Sequence, residues 1–379
     1  MLKPIIFLQG TSSFGGSKRS LLTLTEILPQ AGFQPIIACG EQGWLTDELK
    51  ARDVPFFFVP FYGWRKILQR PLLHFSISGQ WLAKMQEFNP CLIHSNEFWW
   101  APHASLIAKI LKIPSVVHLR TLTHDVVKAR QYRLECGDGL VCISRDVKEK
   151  FSGATDLYDK SRIIFNGIGE NNFSESEITS ARGDLGLTPE TIAVGNLGKL
   201  CENKNQRLLL RIAGKLARKK DLPAFHVFLA GEGDTDYLQI LRGDIARLGL
   251  EKIVTLSGRV DSRPFLAAMD LIVHCSQSEG LSRVIPEAML SRRAVITVDS
   301  GGLRDAIPDE RFGRVVGVND ELALQNEMEQ FFRDRNLRER TAQNAFERAA
   351  MVFSLDASRD ALAGLYRELI SRYKIKHVR

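Results

Sequence analysis

Two glutamates in the stretch EGLSRVIPEAM carry the strongest chemical signal in the sequence. Because proline is tolerated in the first turn of a helix and disfavoured in its interior, Pro286 predicts a helix that starts near Ile285. Glu279 then lies on the preceding loop and Glu287 in the first turn. The helix dipole favours a carboxylate there, and a carboxylate that accepts two hydrogen bonds suits a ribose diol. Loop amides from Leu281 to Val284 would point at an anion. The alternative is that Glu287 only complements the dipole.

A pair of lysines forms the second signal, in GKLCENKN after the apolar run TIAVGNL. Lys199 falls in a loop and Lys204 near the start of the next helix. Two ammonium groups at this point suit a diphosphate. A solvated basic loop is the alternative.

A glycine pair near the N-terminus, in GTSSFGGSKRS, forms the third signal. Gly15 and Gly16 directly precede a predicted helix, so backbone amides can approach an anion there. The spacing from Gly10 is not that of a dinucleotide fingerprint, and no Walker A lysine follows. An ordinary strand-to-helix turn remains the alternative.

Two weaker patterns allow a structural interpretation as well as a functional one. Asp234-Thr235-Asp236 spells the D-x-D that some transferases use for a metal ion, but it opens a predicted helix, which favours Asp234 as a cap. Aromatic and basic residues in 61–75 and 98–103 could touch a membrane or a lipid-linked acceptor. Lining of the core or of a cleft is the favoured interpretation of both stretches.

Short apolar runs that alternate with amphipathic segments must position these groups. Such a pattern predicts an α/β fold with β-α units and parallel sheets, and it occurs twice. The first series is PIIFLQ, QPIIAC, PFFFV, CLIHS, PSVVHL and GLVCI; the second is TIAVGNL, FHVFLA, KIVTLS, DLIVHC and AVITVD. Ligands of doubly wound sheets bind at the carboxyl ends of the strands, where the three chemical signals lie.

The same pattern predicts the domain organisation. We expect a Rossmann-like domain over 1–170, a polar and glycine-rich linker over 171–188, and a second Rossmann-like domain over 189–355. Apolar positions at helical spacing predict a C-terminal helix over 356–379 that returns toward the first domain.

Charge and composition restrict the partners. The net charge of +7 is spread evenly, with 20 Lys and Arg against 16 Asp and Glu up to residue 175 and 31 against 28 thereafter. Neither half resembles a basic nucleic-acid domain, so anionic small molecules or lipid head groups are expected instead.

Two further absences give expectations about location and metal binding. No apolar window is long enough for a membrane span, and the N-terminal apolar run is too short for a signal peptide, which predicts a cytoplasmic protein. Six cysteines without a C-x-x-C pair predict reduced core residues and no metal site.

Together these stretches resemble the retaining GT-B glycosyltransferases, the family that includes sucrose synthase, glycogen synthase and bacterial mannosyl- and glucosyltransferases. Six motifs follow the family's order between Gly15 and Asp305: GGSKRSLLTL, FNGIG, GKLCENKN, AGEGD, EGLSRVIPEAM and GGLRD. The resemblance implies two Rossmann-like domains that face a cleft, with the donor in the C-terminal one.

The resemblance also implies residue roles. Lys199 and Lys204 would hold the donor diphosphate, Glu287 the ribose and Glu279 the transferred sugar, while His118 would lie near the reacting sugar. Glu279, His118 and Lys204 are thus the implied catalytic residues. The remaining implied site residues are Arg259 and Val260 at the nucleobase, Gly280, Leu281 and Ser282 at the donor, and Gly15 and Gly16 at the phosphates and acceptor.

Three positions depart from the family's pattern. Lys199 replaces an arginine, which keeps the charge and loses bidentate geometry. Gly169 stands where the family has aspartate, and Asp305 stands where it has glutamate.

The activity that the resemblance implies is transfer of a hexosyl group, with retention, from a UDP- or GDP-sugar such as GDP-mannose. No cofactor or metal is required, and the acceptor is a glycan, a lipid-linked sugar or a small molecule. Polysaccharide or lipopolysaccharide assembly is the implied setting, with peripheral contact to the inner face of the membrane possible. The alternatives are a nucleotide-sugar epimerase, a non-catalytic nucleotide-sugar binding protein and a nicotinamide dehydrogenase, the last disfavoured by the missing dinucleotide fingerprint.

Overall fold

The computed structural model describes residues 2–61, 71–122 and 125–377. The chain divides into a first unit, Met1–Gly167 with Leu355–Arg379, and a second unit, Ile168–Ser354. Each unit contains one parallel sheet with helices, which confirms the two doubly wound sheets that the alternating pattern predicts.

The six apolar runs of the first series form the first six strands of the first unit, and a seventh strand follows them. Ile5 to Leu8 in the first strand are fully buried, as expected for parallel strands that helices cover on both faces. The strands are β1 (Lys3–Gln9), β2 (Phe33–Cys39), β3 (Phe56–Phe58), β4 (Leu92–Ser95), β5 (Ser115–Leu119), β6 (Gly139–Cys142) and β7 (Ser161–Ile163). Their order in the sheet is β3-β2-β1-β4-β5-β6-β7.

Helices connect these strands, and a side-chain cap starts two of the helices named below, at Asp125 and Ser144. Asp125 accepts a 2.8 Å hydrogen bond from the backbone nitrogen of Lys128 at one such start, satisfying an amide that the helix leaves unpaired. The helices are α1 (Gly16–Ile27), α2 (Trp44–Ala51), α3 (Pro71–Gln86), α4 (Ala101–Leu111), α5 (Val126–Gln131), α6 (Arg145–Glu149) and α7 (Thr155–Tyr158).

The second unit contains a six-stranded sheet in the order β10-β9-β8-β11-β12-β13. The strands are β8 (Ile192–Leu197), β9 (Phe225–Ala230), β10 (Val254–Gly258), β11 (Leu271–His274), β12 (Ala294–Val298) and β13 (Arg314–Val316). The first five match predicted runs. The sixth has three residues and begins with a charged one, Arg314, so no apolar run in the sequence predicts it. The Nε atom of Arg314 lies 2.8 Å from the Glu327 carboxylate.

The second unit also contains a helix where the sequence predicts a linker, over 171–188. Ser174 and Glu177 form a capping box that starts this helix, and Arg182 lies 3.0 Å from Asp270. The stretch is therefore a folded part of the second unit. The helices are α8 (Glu175–Asp184), α9 (Gln206–Ala217), α10 (Thr235–Leu248), α11 (Ser262–Ala268), α12 (Val284–Leu290), α13 (Leu303–Ala306), α14 (Glu321–Arg333) and α15 (Arg335–Val352).

The last helix, α16 (Leu355–His377), belongs to the first unit. Leu362, Leu365 and Leu369 join the apolar core of that unit. Tyr366 is fully buried, and its hydroxyl lies 2.5 Å from Nδ1 of His94. Within the described residues, no helix combines the length and the apolar character needed to cross a membrane.

Candidate functional site

The order of the strands in the second unit defines the candidate site. The chain runs from β8 to β9 on one side of the sheet, whereas β11 pairs with β8 on the other side. Loops that leave the carboxyl ends of two such strands diverge and leave a crevice between them. The GKLCENKN stretch follows β8, and the SQSEGLSR stretch follows β11, so both predicted motifs flank this crevice.

The loop after β8 is held against the loop after β9 by backbone contact. The Gly198 amide donates to the Ala230 carbonyl at 2.9 Å, and the Leu200 amide donates to the Glu232 carbonyl at 2.7 Å. A Cβ atom on Gly231 would lie 1.8 Å from the Gly198 carbonyl oxygen, and the φ angle of Gly231 is +149°. Only glycine fits at this position, which explains the AGEGD motif as the support of the lysine loop.

The loops after β8 and β11 are hydrogen-bonded to each other. The backbone carbonyl of Asn203 accepts from the Gln277 amide at 2.9 Å, and its side-chain nitrogen donates to the Ser278 carbonyl at 3.2 Å. Asn203 lies on a 3-10 turn, Glu202–Lys204, that precedes α9. These bonds bring Lys204 beside Glu279, although 75 positions separate them in the sequence.

Lys204, Glu279 and His274 form one charged cluster. The Lys204 ammonium contacts the Oε1 atom of Glu279, and Nε2 of His274 lies 3.7 Å from the same oxygen. Burial raises the pKa of Glu279, but the neighbouring imidazole and ammonium lower it more, to about 2. Glu279 is therefore ionised at neutral pH. Burial lowers the pKa of His274, which keeps its imidazole neutral.

Lys199 is exposed on the same loop, and the residues that the structure describes give it no ion pair. Its backbone carbonyl accepts a 3.0 Å hydrogen bond from Nε2 of Gln206, whose side-chain oxygen accepts from the Tyr237 hydroxyl at 3.2 Å. Gln206 is fully buried at the start of α9. Sequence reasoning missed it, because only the fold shows that it supports the lysine loop.

Glu287 lies in the first turn of α12, which starts at Val284, one residue before the predicted Ile285. Its carboxylate is nearly buried, and Oε1 accepts a 3.2 Å hydrogen bond from Nε of Arg283. This arginine was not predicted as a site residue. It supplies the positive charge that a buried carboxylate requires.

The loop between Glu279 and α12 is largely buried. Leu281 is 7% exposed and Ser282 is 6% exposed, and the Gly280 carbonyl accepts a 3.1 Å hydrogen bond from the Gly302 amide. This bond ties the loop to the GGLRD motif after β12. The loop therefore has a defined course between the two carboxylates.

Arg259 and Val260 follow β10, the edge strand of the sheet, which β9 separates from β8. The Arg259 guanidinium lies 3.8 Å from the Glu232 carboxylate on the AGEGD loop. The Gly231 amide donates to the Gly258 carbonyl at 2.7 Å, which joins this segment to the same loop. This segment thus adjoins the AGEGD loop, which supports the lysine loop.

His118 lies in β5 of the first unit and is buried. Its Nδ1 atom lies 3.2 Å from the Arg120 guanidinium, which also donates 2.7 Å hydrogen bonds to the side chains of Asn96 and Asn166. Burial first, and then the arginine charge, hold the pKa of His118 well below its usual range, so the imidazole is neutral. Sequence reasoning did not predict the Arg120 cluster.

Gly15 and Gly16 adjoin the strand reversal of the first unit, between β1 and β4. Gly16 is the first residue of α1, and Gly15 has extended backbone with a φ angle of 171°. A Cβ atom on Gly15 would meet nothing within 4 Å. Nearby, the Lys18 ammonium lies 3.1 Å from Glu97 in the loop after β4.

The D-x-D stretch has the structural role that the sequence favours. The Asp234 carboxylate accepts a 2.8 Å hydrogen bond from the Tyr237 amide, which confirms it as the cap of α10. No group of three or more potential metal ligands occurs in the part of the chain that the structure describes.

Of the six cysteines, Cys39, Cys142 and Cys275 are buried, whereas Cys136 is exposed and so is not a core residue. The two aromatic stretches are described only in part. Most of 61–75 lies outside the described residues, whereas in 98–103 Phe98 is buried and Trp99 is 42% exposed.

Known proteins resemble both units. The family described as Glycosyltransferase Family 4 matches residues 14–171, and Glycosyl transferases group 1 matches residues 188–334. The alpha-D-kanosaminyltransferase of Streptomyces kanamyceticus is 30% identical over 53% of this chain and 53% of its own length. The lipopolysaccharide core biosynthesis glycosyltransferase LpsE of Rhizobium meliloti is 29% identical over 59% of this chain and 62% of its own. The matched part of this chain thus spans little more than half the length of these relatives.

A solved structure covers almost the whole chain. Anabaena Alr3699/HepE in complex with UDP superimposes with a TM-score of 0.84 over 97% of this chain and 100% of its own. At 21% sequence identity, this superposition establishes a shared fold and nothing further.

Proposed function

Because the chain belongs to the glycosyltransferases, with a family 4 domain ahead of a group 1 domain, we propose that it is a retaining hexosyltransferase that uses a nucleotide diphosphate sugar. One observation carries the proposal: the loops after β8 and β11 bring Lys204 to Glu279, with Lys199 on the first loop and Glu287 one helix turn beyond the second. Two cations and two carboxylates match the diphosphate, sugar and ribose of such a donor.

The proposed donor is a UDP-sugar. HepE, which has the same fold, was crystallised with UDP, and this supports uracil over guanine. The proposed acceptor is a glycan or a lipid-linked sugar in lipopolysaccharide or polysaccharide assembly, in line with the name of the LpsE relative. A peripheral position at the membrane would suit a lipid-linked acceptor.

The proposed chemistry follows from the charges. The bond between the sugar C1 and the diphosphate breaks, and the acceptor oxygen bonds to C1 on the same face. The acceptor proton passes to the departing phosphate oxygen. Lys199 and Lys204 stabilise the negative charge that develops on the diphosphate. Glu279 is ionised, so it accepts hydrogen bonds from the sugar and faces the positive charge at C1, and it does not act as an acid.

The proposal is tested with the full chain and a panel of UDP-, GDP- and ADP-sugars. We expect a UDP-sugar to raise the melting temperature and to release UDP, with the product anomer, followed by NMR, matching the donor anomer. Lys204→Ala and Glu279→Ala should each lower turnover by roughly 100-fold or more, because they remove charges that act on the transition state.

Matched controls are Lys252→Ala and Glu190→Ala, which change exposed residues of the second unit. These controls should keep the wild-type rate. Near-normal turnover by both site variants, or binding of no nucleotide by the wild type, would refute the proposed function.

A further inference from the structure

His274 is a buried polar side chain that the proposed function leaves without a role. It is the last residue of β11 and is 3% exposed. Its Nε2 atom lies 3.7 Å from Oε1 of Glu279 and has no closer hydrogen-bond partner among the residues that the structure describes. A buried ring nitrogen without a partner is unfavourable, so its place beside the site carboxylate calls for an explanation.

Lys204 provides that explanation, because its ammonium serves two anions. In the structure it contacts Glu279. In the proposed function it also neutralises the donor diphosphate, which carries more negative charge than one carboxylate and attracts the ammonium more strongly. When the donor binds, Glu279 therefore loses part of its counter-charge, and its side chain is already only 16% exposed before the donor enters.

We propose that His274 is a positioning residue for Glu279: its Nε2–H bonds the carboxylate as Lys204 turns to the diphosphate, and so keeps the carboxylate against the transferred sugar. The inference rests on the proposed function. His274 is suited to this task by its location, since β11 lies between β8 and β12 in the sheet, whereas Lys204 lies on a 3-10 turn. A rigid strand fixes a side chain more accurately than a loop does.

The charges around the imidazole agree with this role. Lys204 and Glu279 are the charged groups that act on it, and burial keeps the ring neutral at physiological pH. A neutral imidazole protonated at Nε2 donates one hydrogen bond at that atom. It can therefore orient the carboxylate without bringing a third charge into the site.

The test uses two variants of the full chain. His274→Leu removes the N–H group that donates to Glu279, and His274→Gln offers a side-chain amide N–H in its place. UDP release from UDP-glucose, UDP-galactose and UDP-GlcNAc gives kcat and KM, and calorimetry gives the Kd of UDP alone. We expect His274→Leu to lower kcat about 10-fold or more with the Kd of UDP within about twofold of wild type, and His274→Gln to recover most of the rate.

A double variant shows whether His274 acts through Glu279. The combination of His274→Leu with Glu279→Gln should be no slower than Glu279→Gln alone, because both changes remove one interaction. Three outcomes would overturn the inference. The double variant could lose kcat by the product of the two single losses, or His274→Leu could keep the wild-type kcat. Both His274 variants could also raise the Kd of UDP equally.

The outcome for the wild type separates the two proposals. A wild type that binds no nucleotide and releases no UDP refutes the proposed function, and the inference with it. A wild type that is active beside a fully active His274→Leu variant refutes the inference alone.

Discussion

Glu279 shows how neighbouring charges can override burial. Removing a carboxylate from water makes it easier to protonate, and for Glu279 this is the largest single effect. His274 and Lys204 together outweigh it and lower the pKa to about 2. The side chain therefore remains an anion across the pH range in which the protein would work.

This shift predicts a pH dependence of stability. The folded-state pKa of Glu279 lies below the ordinary value of 4.5, so its contribution is fully present above that value and is lost as the pH falls toward 2. Between pH 7 and pH 4, the free energy of unfolding of the wild type should fall by about 1 kcal/mol more than that of Glu279→Gln.

Urea denaturation of both proteins at the two pH values measures this difference. The Glu279→Gln variant serves as the control, since it retains every other titrating group. Equal losses of unfolding free energy in the two proteins would contradict the lowered pKa of Glu279.

At this scale the sequence predicts caps better than contacts. Asp234 is confirmed as a cap because the interaction is local, with Tyr237 three positions away. Gln206 and His274 were not predicted, since each acts on a residue that only the fold brings near, and His274 sits within the apolar run DLIVHC. The roles of Lys199 and Glu287 in donor binding stay predictions.

The loop after β8 depends on a glycine in a neighbouring loop. Gly231→Ala should destabilise the protein by about 3 kcal/mol, because its backbone conformation disfavours a side chain and the added Cβ meets the Gly198 carbonyl. The same change should weaken nucleotide affinity, since the displaced loop carries Lys199. Thermal unfolding and calorimetry with UDP measure both effects.

Gly243→Ala is the matched control for that change. Gly243 lies within α10, and a Cβ atom there would meet nothing within 4 Å, so alanine should stabilise the helix by about 0.5–1 kcal/mol. A Gly231→Ala variant as stable as wild type would show that the loop accommodates the side chain.

Elements with a continuous apolar signal were predicted from the sequence, and short polar ones were not. β8 and β12 are buried along nearly their whole length, as their apolar runs indicate. Helix α8 exposes most of its residues and depends on the capping box at Ser174, so periodicity could not reveal it. β13 has three residues and starts with a charged one.

At the scale of the whole molecule, the two units differ in whether one continuous segment of the chain forms them. The second unit is one continuous segment, Ile168–Ser354, with its own apolar core. The first unit combines Met1–Gly167 with the helix α16. A continuous segment with its own core meets the usual conditions for independent folding.

We therefore predict that Ile168–Ser354, expressed alone, folds cooperatively and binds UDP within about 10-fold of the affinity of the full chain. Circular dichroism and calorimetry give the two measurements. The same fragment with Lys204→Ala is the control and should fold equally well but bind UDP more weakly. A fragment that remains unfolded, or one that folds but does not bind UDP, would contradict the prediction.

The place of α16 in the first unit has a consequence for protein synthesis. The residues up to Gly167 leave the ribosome without the helix whose Leu362, Leu365 and Tyr366 complete their core. At about 5–20 residues per second, translation of Ile168–Ser354 separates the two parts by roughly 10–40 s. During that interval the apolar face around Phe33, against which Tyr366 packs in the complete protein, stays open to solvent. The nascent first unit is then a natural client for chaperones, while the second unit can already be complete.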